Sequence, residues 1–429
     1  MLDIKFIRAN KEAVQEAAKN KNINLDVERL LSLDETRREL ITKIANARSR
    51  QKKLGRENIE EAKKLKEEQK VWDTELAEIS AQYEELMLKA PTVPSPDTPI
   101  GKNSDDNVEI LKWGKIPKFD FEPKDHIQIG KDLDILDLER GAKVAGYRGY
   151  YIKNEGAQLI MALMMFAFNK MVEKGYSPMI VPTLLKEFAL FGSGYFSGKE
   201  YDPETDEIYE IATKDKDVEG QKNRERKFLS GTAEPALLAY YADEVLSEAD
   251  LSLKICGFSQ CYRSEIGSYG KDTKGLYRVH EFMKVEQVVL AGTDIGEADK
   301  LQQEMLKITR EIHEDLGLPY RLLQICTGDM GAGKYKMFDI ETWMPGLNRW
   351  GETGSSSNFL DWQARRLNVK YKTADGQIKF VYMLNNTAMP SPRPFIAILE
   401  NYQQADGSVE IPKVLRPWMG GVKIIKPKR

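Results

Sequence analysis

The chain has 429 residues, enough for two or three domains with large buried cores. Its net charge of −3 and pI near 6.0 give no overall basic field, so any nucleic-acid contact must come from a local patch. No run of about 18 apolar residues and no secretory h-region occurs, so we expect no membrane span and a cytoplasmic protein.

Cysteine content agrees with a reducing compartment. The three cysteines form neither a disulfide framework nor a CxxC pair. Cys256 and Cys261 are close enough along the chain for a zinc site, but buried free thiols are the favoured interpretation. His126, His280 and His313 form no catalytic set with a serine or cysteine nucleophile.

The first hundred residues predict a helical hairpin. Residues 27–54 and 62–86 carry apolar or long-stemmed side chains at alternating steps of three and four, the a/d rhythm of a coiled-coil seam. Gly55 and Asn58 lie between the two segments, where a turn is needed. Each helix would be roughly 40 Å long. We therefore expect an antiparallel arm that projects from the protein.

The charges of this arm are unevenly distributed, with basic residues near its tip and acidic residues along its stem. A basic tip favours contact with an RNA backbone. The alternative is a solvated coiled-coil surface with i,i+4 ion pairs. The tip residues predicted to contact RNA are Arg48, Arg50, Lys52, Lys53 and Arg56.

A Pro-rich segment, APTVPSPDTPIG at residues 90–101, ends the arm because proline cannot continue a helix. We therefore predict an N-terminal domain at 1–100 and a second domain at 101–429. The second part mixes helices and strands without regular βαβ alternation, which predicts an α+β fold with an antiparallel sheet. The predicted elements are a helix at 150–174, a short buried strand at 177–182, a helix at 293–316, a strand at 377–384 and a strand or helix at 395–399.

Two further segments have unusual composition. Residues 198–227 are highly charged, which predicts an extended hairpin or loop insertion. Residues 422–429, VKIIKPKR, predict a basic and loosely ordered tail.

Residues 258–286 predict two strands joined by a Gly- and Lys-rich loop at 267–275. The first strand leads to Arg263, whose guanidinium suits bidentate contact with phosphate oxygens. The second carries Phe282, which can stack on a flat ring or simply fill the core. Such a hairpin has the side chains needed to hold a nucleotide.

A second arginine, Arg393, lies in LNNTAMPSPRPFIAILENYQ just before a predicted helix that Pro394 can begin. An arginine at such a place is often structural or solvated. Residues 352–358, ETGSSSN, supply a carboxylate and hydroxyls, which is sufficient for a magnesium ion that keeps waters and phosphate oxygens. The joint occurrence of these segments with 258–286 strengthens the hypothesis of a nucleotide site.

These segments resemble motifs 2 and 3 of the class II aminoacyl-tRNA synthetases, and their sequences are most similar to those of bacterial-type seryl-tRNA synthetases. The resemblance covers nearly the whole chain, from MLDIKFIR to VLRPWMGG. Residues 150–182, ending in Pro182, resemble motif 1, the dimer interface of that family. The resemblance implies a coiled-coil hairpin arm followed by a class II antiparallel sheet flanked by helices.

The implied reaction has two steps. L-Serine and ATP, with Mg²⁺, give seryl-adenylate, and serine is then transferred to the 3′ end of tRNA(Ser). The resemblance also implies a homodimer without membrane contact, and leaves open whether tRNA(Sec) is a substrate. Lys271 and Lys274, in the 267–275 loop, would meet the adenylate or the acceptor end of the tRNA.

The resemblance assigns site residues by matching motifs, with Arg263 and Arg393 as the catalytic pair and Glu352 and Ser355 as the Mg²⁺ ligands. The ATP-binding residues would be Arg263, Ser264, Glu265, Arg278, Phe282, Glu352, Thr353, Gly354, Ser355 and Arg393. The serine-binding residues would be Thr232, Ala233, Glu234, Arg263, Glu286 and Thr387. The alternative for residues 232–234 is a helix cap ahead of Pro235.

The chain departs from the family at two places. It has Asn386, Thr387 and Ala388 where G-S-G is usual, and Thr353 and Gly354 within the usual E-V-S-S. These departures keep two alternatives open: a synthetase-like paralogue that charges another small amino acid or a carrier protein, and an inactive RNA-binding scaffold.

Overall fold

The computed structural model describes residues 1–54, 58–196, 198, 200–212, 225–266 and 274–428. The chain divides into two compact units, Met1–Val93 and Pro94–Arg429, so the division falls inside the Pro-rich segment. The helices are α1 (Ile4–Ala9), α2 (Lys11–Asn20), α3 (Val27–Lys53), α4 (Ile59–Lys89), α5 (His126–Asp132), α6 (Leu138–Ala145), α7 (Asn154–Glu173), α8 (Glu187–Ser193), α9 (Glu234–Ala239), α10 (Ile295–Asp315), α11 (Trp362–Leu367) and α12 (Pro392–Asn401).

All the strands of the described residues belong to the second unit. They are β1 (Val108–Trp113), β2 (Leu136–Asp137), β3 (Tyr151–Ile152), β4 (Ser177–Ile180), β5 (Leu184–Lys186), β6 (Tyr209–Glu210), β7 (Lys227–Leu229), β8 (Val245–Ser247), β9 (Leu253–Tyr262), β10 (Glu281–Ala291), β11 (Tyr320–Gln324), β12 (Lys336–Met344), β13 (Arg349–Asn358), β14 (Lys370–Lys372), β15 (Ile378–Phe380), β16 (Tyr382–Pro390), β17 (Val409–Glu410) and β18 (Ile424–Ile425).

The N-terminal unit is built on the long helices α3 and α4, as the heptad rhythm predicts. The Oδ1 atom of Asp26 accepts from the backbone N of Arg29 and caps α3. The guanidinium carbon of Arg37, in the first half of α3, lies 5.2 Å from the centre of the Tyr83 ring, near the C-terminal end of α4. Contacts of residues early in α3 with residues late in α4 require the two helices to run antiparallel.

The second unit is organised by an eight-stranded sheet in the order β1-β11-β12-β13-β16-β10-β9-β4. Every neighbouring pair is antiparallel except β4 with β9, which are parallel. The predicted α+β fold with an antiparallel sheet is therefore confirmed.

Helix α10 covers one face of this sheet. Asp294 caps its first turn through the backbone N of Glu297, and buried residues including Met305, Ile308 and Ile312 follow at helical spacing. Burying side chains of this size contributes about 1.5–3 kcal/mol each. The helix therefore fixes β10, β13 and β16, which bear the site on their other face.

Two sequence predictions about these elements need correction. Strand β4 is not buried: Ile180 is 88% exposed, because β4 is the sheet's edge strand. The tail is not loosely ordered as far as Ile425, because β18 pairs with β17 and buries Ile425. Residues 395–399, predicted as a strand or a helix, belong to helix α12.

The charged segment 198–227 includes β6 and the start of β7, which pair antiparallel, while residues 213–224 lie outside the described part. The three cysteines are free and buried. Within the described ranges, no helix combines the length and the apolar character that a membrane span requires.

Candidate active site

A polar cleft lies over strands β10, β13 and β16. Nine of the predicted site residues line it: Arg263, Glu265, Arg278, Phe282, Glu352, Thr353, Gly354, Thr387 and Arg393. The same cleft is lined by Lys284, which the sequence interpretation did not select. The two arginines that are 130 positions apart in the sequence therefore face one cavity.

Strand alternation explains why β10 supplies several of these side chains. Successive strand residues point to opposite faces, so Phe282, Lys284 and Glu286 share the face that bears the cleft. Lys284 and Glu286 form an ion pair at 2.5 Å, and their side chains are only 7% and 3% exposed. A carboxylate is thus held at the cleft floor by an adjacent buried ammonium group.

Several residues predicted to bind serine lie together around Glu286. Thr387 lies directly opposite Glu286 on β16, and its hydroxyl is 3.4 Å from Oε2 of Glu286. The hydroxyl of Thr232 donates to the same oxygen at 3.3 Å. Gly257 makes this approach possible, because a Cβ there would lie 2.9 Å from the Cβ of Ala233. The 232–234 segment can therefore lie across the sheet beside Glu286.

Glu234 is a second buried carboxyl of this pocket. Its Oε1 accepts from Nδ2 of Asn385 at 2.6 Å and from Nε2 of Gln363 at 2.7 Å. Burial, together with the charge of Glu286, raises the pKa of Glu234 to about 7. Ala233 occupies the N-cap position of α9, so the alternative with Thr232 as the cap is wrong by one residue.

Predicted nucleotide-binding residues from the end of β9 to the start of β10 lie close together. The guanidinium of Arg263 lies 5.4 Å from the centre of the Phe282 ring. Glu265 and Arg278 form an ion pair at 2.6 Å at the cleft wall. Ser264 does not line the cleft; its buried Oγ has no hydrogen-bond partner among the described residues. Its backbone N donates to the Glu207 carbonyl.

Arg393, at the start of α12, is fixed by three contacts. Its Nη1 donates to the backbone oxygen of Glu352 at 2.8 Å and to Oε2 of Glu352 at 3.2 Å. Its Nε donates to the backbone oxygen of Tyr277 at 3.1 Å. Partial desolvation would raise the pKa of Glu352, but Arg393 and Arg263 outweigh it and hold that pKa below its usual range. Glu352 is thus an anionic group held between both arginines.

A β-bulge brings the two predicted Mg²⁺ ligands to one face. In β13, Glu352 pairs with Glu341 and Gly354 pairs with Ile340, so Thr353 is an extra residue. In a regular strand, side chains three positions apart point to opposite faces of the sheet. The extra residue shifts this alternation by one, so the side chain of Ser355 points to the same face as that of Glu352. Asp339 lies directly opposite Ser355, and its buried Oδ1 has no hydrogen-bond partner within the described ranges.

This donor set fits a magnesium ion. Mg²⁺ is bound through one or two carboxylates and keeps oxygen ligands from water and phosphate. Burial and the Glu352 carboxylate raise the pKa of Asp339, as expected where two carboxylates lie close without a cation. Among the described residues, no group of three or more His, Cys, Asp and Glu is arranged for a metal, so phosphate oxygens would have to complete the coordination.

The departures from the usual family motifs have a structural reason. Asn386 points away from the cleft, where its Nδ2 donates to the hydroxyl of Thr309 on α10 at 2.7 Å. Thr353 contributes to the cleft wall, but its hydroxyl lies on the α10 side, 3.1 Å from Nε2 of His313. The Asn386 amide and the Thr353 hydroxyl thus belong to a buried polar layer between the sheet and α10. Two further departures, Gly354 and Thr387, line the cleft itself.

The predicted RNA-binding residues are only partly described. Arg48 pairs with Asp73 at 3.3 Å, and Arg50 pairs with Glu61. Lys52, Lys53 and Lys274 are exposed. Surface ion pairs of this kind contribute about 0–1 kcal/mol to stability. Replacing the carboxylate partner of the arginine by an RNA phosphate therefore costs little free energy. Arg56 and Lys271 lie outside the described residues.

Sequence reasoning missed Lys284 and Asp339. The alternation of Phe282, Lys284 and Glu286 between apolar neighbours was a usable signal for Lys284. Asp339 becomes a neighbour of the site only through the register of β12 with β13, which no local pattern reveals.

Comparison with known proteins agrees with this architecture. Residues 1–94 match the model of the seryl-tRNA synthetase N-terminal domain, and residues 214–402 match the class II core domain for G, H, P, S and T. A serine–tRNA ligase of Treponema denticola is 42% identical over 98% of this chain and 99% of its own. Seryl-tRNA synthetase from Pyrococcus horikoshii, solved with ATP, is 33% identical with a TM-score of 0.90 over 100% of both chains. The cytoplasmic serine–tRNA ligase of Naegleria fowleri, solved with AMP, is 30% identical with a TM-score of 0.85 over 98% of this chain and 96% of its own. The chain therefore belongs to the seryl-tRNA synthetase family of class II aminoacyl-tRNA synthetases.

Proposed function

We propose that this chain is a serine–tRNA ligase that activates L-serine with ATP and transfers it to the 3′ end of tRNA(Ser). In the first step a serine carboxylate oxygen bonds to the α-phosphorus of ATP, and the bond to the bridging oxygen breaks to release pyrophosphate. In the second step the terminal ribose hydroxyl of the tRNA attacks the acyl carbon, and AMP leaves.

One observation carries the proposal: Arg263 and Arg393 line the same cleft, beside the carboxylate pocket of Glu286. The first step brings an anionic carboxylate to an anionic phosphate, so fixed positive charge is the main catalytic requirement. Serine's carboxylate is already ionised at neutral pH, so no general base is needed. Positioning and charge stabilisation therefore account for the activation step.

The roles of the remaining nucleotide residues follow from their places. We assign the ring of Phe282 to adenine stacking and the pair Glu265–Arg278 to the base and phosphates. Arg393 would hold the far end of the triphosphate, because α12 presents it at the other side of Glu352. Arg263 would contact the α-phosphate and the serine carboxylate.

Glu352 and Ser355, with Asp339 beside them, would hold Mg²⁺ on the nucleotide phosphates. The ion would supply positive charge to the triphosphate when it is bound. The orphaned Oδ1 of Asp339 and the shared face created by the bulge support this assignment.

Selection of serine rests on Glu286 and its neighbours. When alanine or glycine enters a pocket that hydrogen-bonds a hydroxyl, polar groups of the pocket are left unpaired. The affinity for these two amino acids is therefore much lower than that for serine. The carboxylate of Glu286, flanked by the hydroxyls of Thr387 and Thr232, is suited to bind the serine hydroxyl. Glu234 and the hydroxyl of Thr232 would meet the amino group. Threonine must be excluded by shape.

We assign tRNA binding to the basic part of the α3–α4 hairpin, with Arg48, Arg50, Lys52, Lys53 and Arg56, and to Lys271 and Lys274. The exposed positions of the described members support this assignment. A charging assay with tRNA(Sec) tests whether that tRNA is also a substrate.

A homodimer and a cytosolic location complete the proposal. Met161, Met165 and Val172 expose an apolar face of α7, and Ile180 exposes another apolar side chain on β4. A second copy can cover this surface, since obligate interfaces are apolar. Free, buried cysteines suit the reducing cytosol.

ATP–pyrophosphate exchange with a panel of amino acids tests the proposal. We expect exchange that depends on L-serine, with little response to alanine, glycine or threonine. Exchange with another amino acid alone would identify a paralogue of different specificity, and no exchange with any amino acid would identify an inactive scaffold. Retention of both arginines and of Glu286 and Glu352 argues against the scaffold.

A further inference from the structure

His126 connects the turn at 274–280, which precedes β10, to helix α12. Its Nε2 accepts a hydrogen bond from the backbone N of Leu276 at 3.1 Å. Its Nδ1 lies 3.0 Å from Oε1 of Glu400, in the last turn of α12. All three residues are at most 2% exposed. The imidazole therefore forms a buried bridge between two segments that are far apart in sequence.

The hydrogen bonds determine the state of this bridge. Because Nε2 accepts from a backbone N–H, the hydrogen of the neutral ring lies on Nδ1, which donates to Glu400. Oε1 of Glu400 also accepts from the backbone N of His126 at 2.9 Å, and Oε2 accepts from the backbone N of Gly346 at 2.9 Å. Three donors thus hold the carboxylate, and the carboxylate holds the ring.

The residue after Leu276 is attached to the other end of the same helix. Tyr277 accepts from Nε of Arg393 through its backbone oxygen at 3.1 Å, and its ring centre lies 4.5 Å from the guanidinium carbon. Arg393 and Glu400 are seven residues apart, two turns along one face of α12. Helix α12 therefore holds two consecutive backbone positions, and Arg278 follows them into the cleft.

The sequence accommodates this contact with a glycine. Gly275 has a φ of +68°, and a Cβ at that position would lie 2.1 Å from Nε2 of His126. Any larger residue would displace the ring from Leu276. The close approach of imidazole and backbone is therefore built into the chain.

We propose that His126 is a positioning residue for ATP binding. Through Leu276 it fixes the backbone that presents the Tyr277 oxygen to Arg393 and Arg278 to the cleft. The inference rests on the proposed function, because it assigns Arg393 and Arg278 to ATP. Among the described residues, the His126 side chain hydrogen-bonds to Glu400 and the Leu276 backbone and does not line the cleft, so its effect on ATP must pass through the backbone.

Two substitutions separate the two bonds of the ring. In His126→Asn the amide nitrogen lies near the former Nδ1 and can still donate to Glu400, but Leu276 loses its acceptor. In His126→Gln the amide oxygen reaches the former Nε2 and can accept from Leu276, but the contact with Glu400 is lost. The two variants thus test which bond matters for ATP.

Gln403→Ala is the matched control. Gln403 is 5% exposed and accepts from the backbone N of Lys124 at 2.8 Å, so it ties the same segment to α12 without contact to Leu276. Its loss should lower the melting temperature without changing ATP binding. It therefore measures the effect of a merely structural defect.

We expect His126→Asn to raise the KM for ATP in serine-dependent exchange by about 10-fold, with the KM for serine within about 2-fold of wild type. His126→Gln should recover most of this loss, and Gln403→Ala should keep the wild-type KM for ATP. A wild-type KM for ATP in a folded His126→Asn protein overturns the inference, as does an equal increase in Gln403→Ala.

Hydrogen exchange of the wild-type protein tests the inference even where a variant fails to fold. The Leu276 amide should exchange slowly without ATP, at a rate like that of β10. Exchange of this amide at the rate of an unprotected loop overturns the inference. Failure of the proposed function has a different signature, because wild-type protein would then lack serine-dependent pyrophosphate exchange altogether.

Discussion

The buried ion pair of Lys284 and Glu286 offers a quantitative test of how the site is held. Both side chains are almost fully buried, and removal of one partner leaves the other charge uncompensated. Breaking a buried pair in this way costs about 3–5 kcal/mol. In Lys284→Met, Glu286 still has the hydroxyls of Thr232 and Thr387 at 3.3 and 3.4 Å, which offset part of the cost of its unpaired charge. We therefore expect a loss near the lower end, about 3 kcal/mol.

The double variant Lys284→Met/Glu286→Gln separates charge from packing. It removes the unpaired carboxylate and leaves a neutral amide, whose incomplete hydrogen bonding costs about 1–2 kcal/mol. The double variant should therefore be more stable than Lys284→Met alone by about 1–2 kcal/mol. A double variant that is more stable than the single variant indicates that the unpaired charge of Glu286 causes the loss. If packing alone caused the loss, the second substitution would lower the stability further.

Urea unfolding followed by tryptophan fluorescence, at one protein concentration, measures these differences. The slope grows with chain length and is at least about 3 kcal/mol per M for 429 residues, so the Lys284→Met midpoint should fall by up to about 1 M. A midpoint equal to that of the wild type would refute the reasoning. So would a double variant that is less stable than the single one.

Three further predictions concern the pocket, the metal and the arm. Because burial and Glu286 raise the pKa of Glu234 from 4.5 to about 7, the folded state binds this proton more tightly. The free energy of unfolding should therefore fall as pH rises from about 4.5 to about 7, and Glu234→Gln should flatten this slope in urea titrations; an unchanged slope contradicts the assignment. Glu352→Gln should raise the Mg²⁺ concentration for half-maximal exchange by about 10-fold or more, and unchanged Mg²⁺ dependence would exclude Glu352 as a ligand. Deletion of residues 48–66 should leave exchange intact but prevent charging of tRNA(Ser), and normal charging would refute the role of the tip.

Local patterns predicted those elements whose periodicity is strong. The heptad spacing of α3 and α4 gave both helices and their antiparallel pairing, because an apolar stripe must be covered by a partner. The alternation in β9 and β10 placed Phe282 on one of two paired strands and Arg263 directly after the other. The resemblance then supplied the distant partner Arg393, which no local pattern connects to Arg263.

Tertiary register accounts for what the sequence did not reveal. The bulge at Thr353 decides that Glu352 and Ser355 share a face, and it is visible only when β13 is aligned with β12. The apolar residues of β4 predicted a buried strand, whereas the position of β4 at the edge of the sheet leaves Ile180 exposed. His126 gave no signal, since its partners lie 150 and 274 positions away.

Serine-dependent ATP–pyrophosphate exchange by Arg263→Ala and Arg393→Ala, measured beside the wild type, tests the central claim most directly. The account predicts that both variants fold and that each loses exchange by at least about 100-fold, because the two guanidinium groups act on one triphosphate. Exchange by either variant within about 3-fold of the wild type, with an unchanged KM for ATP, would contradict it.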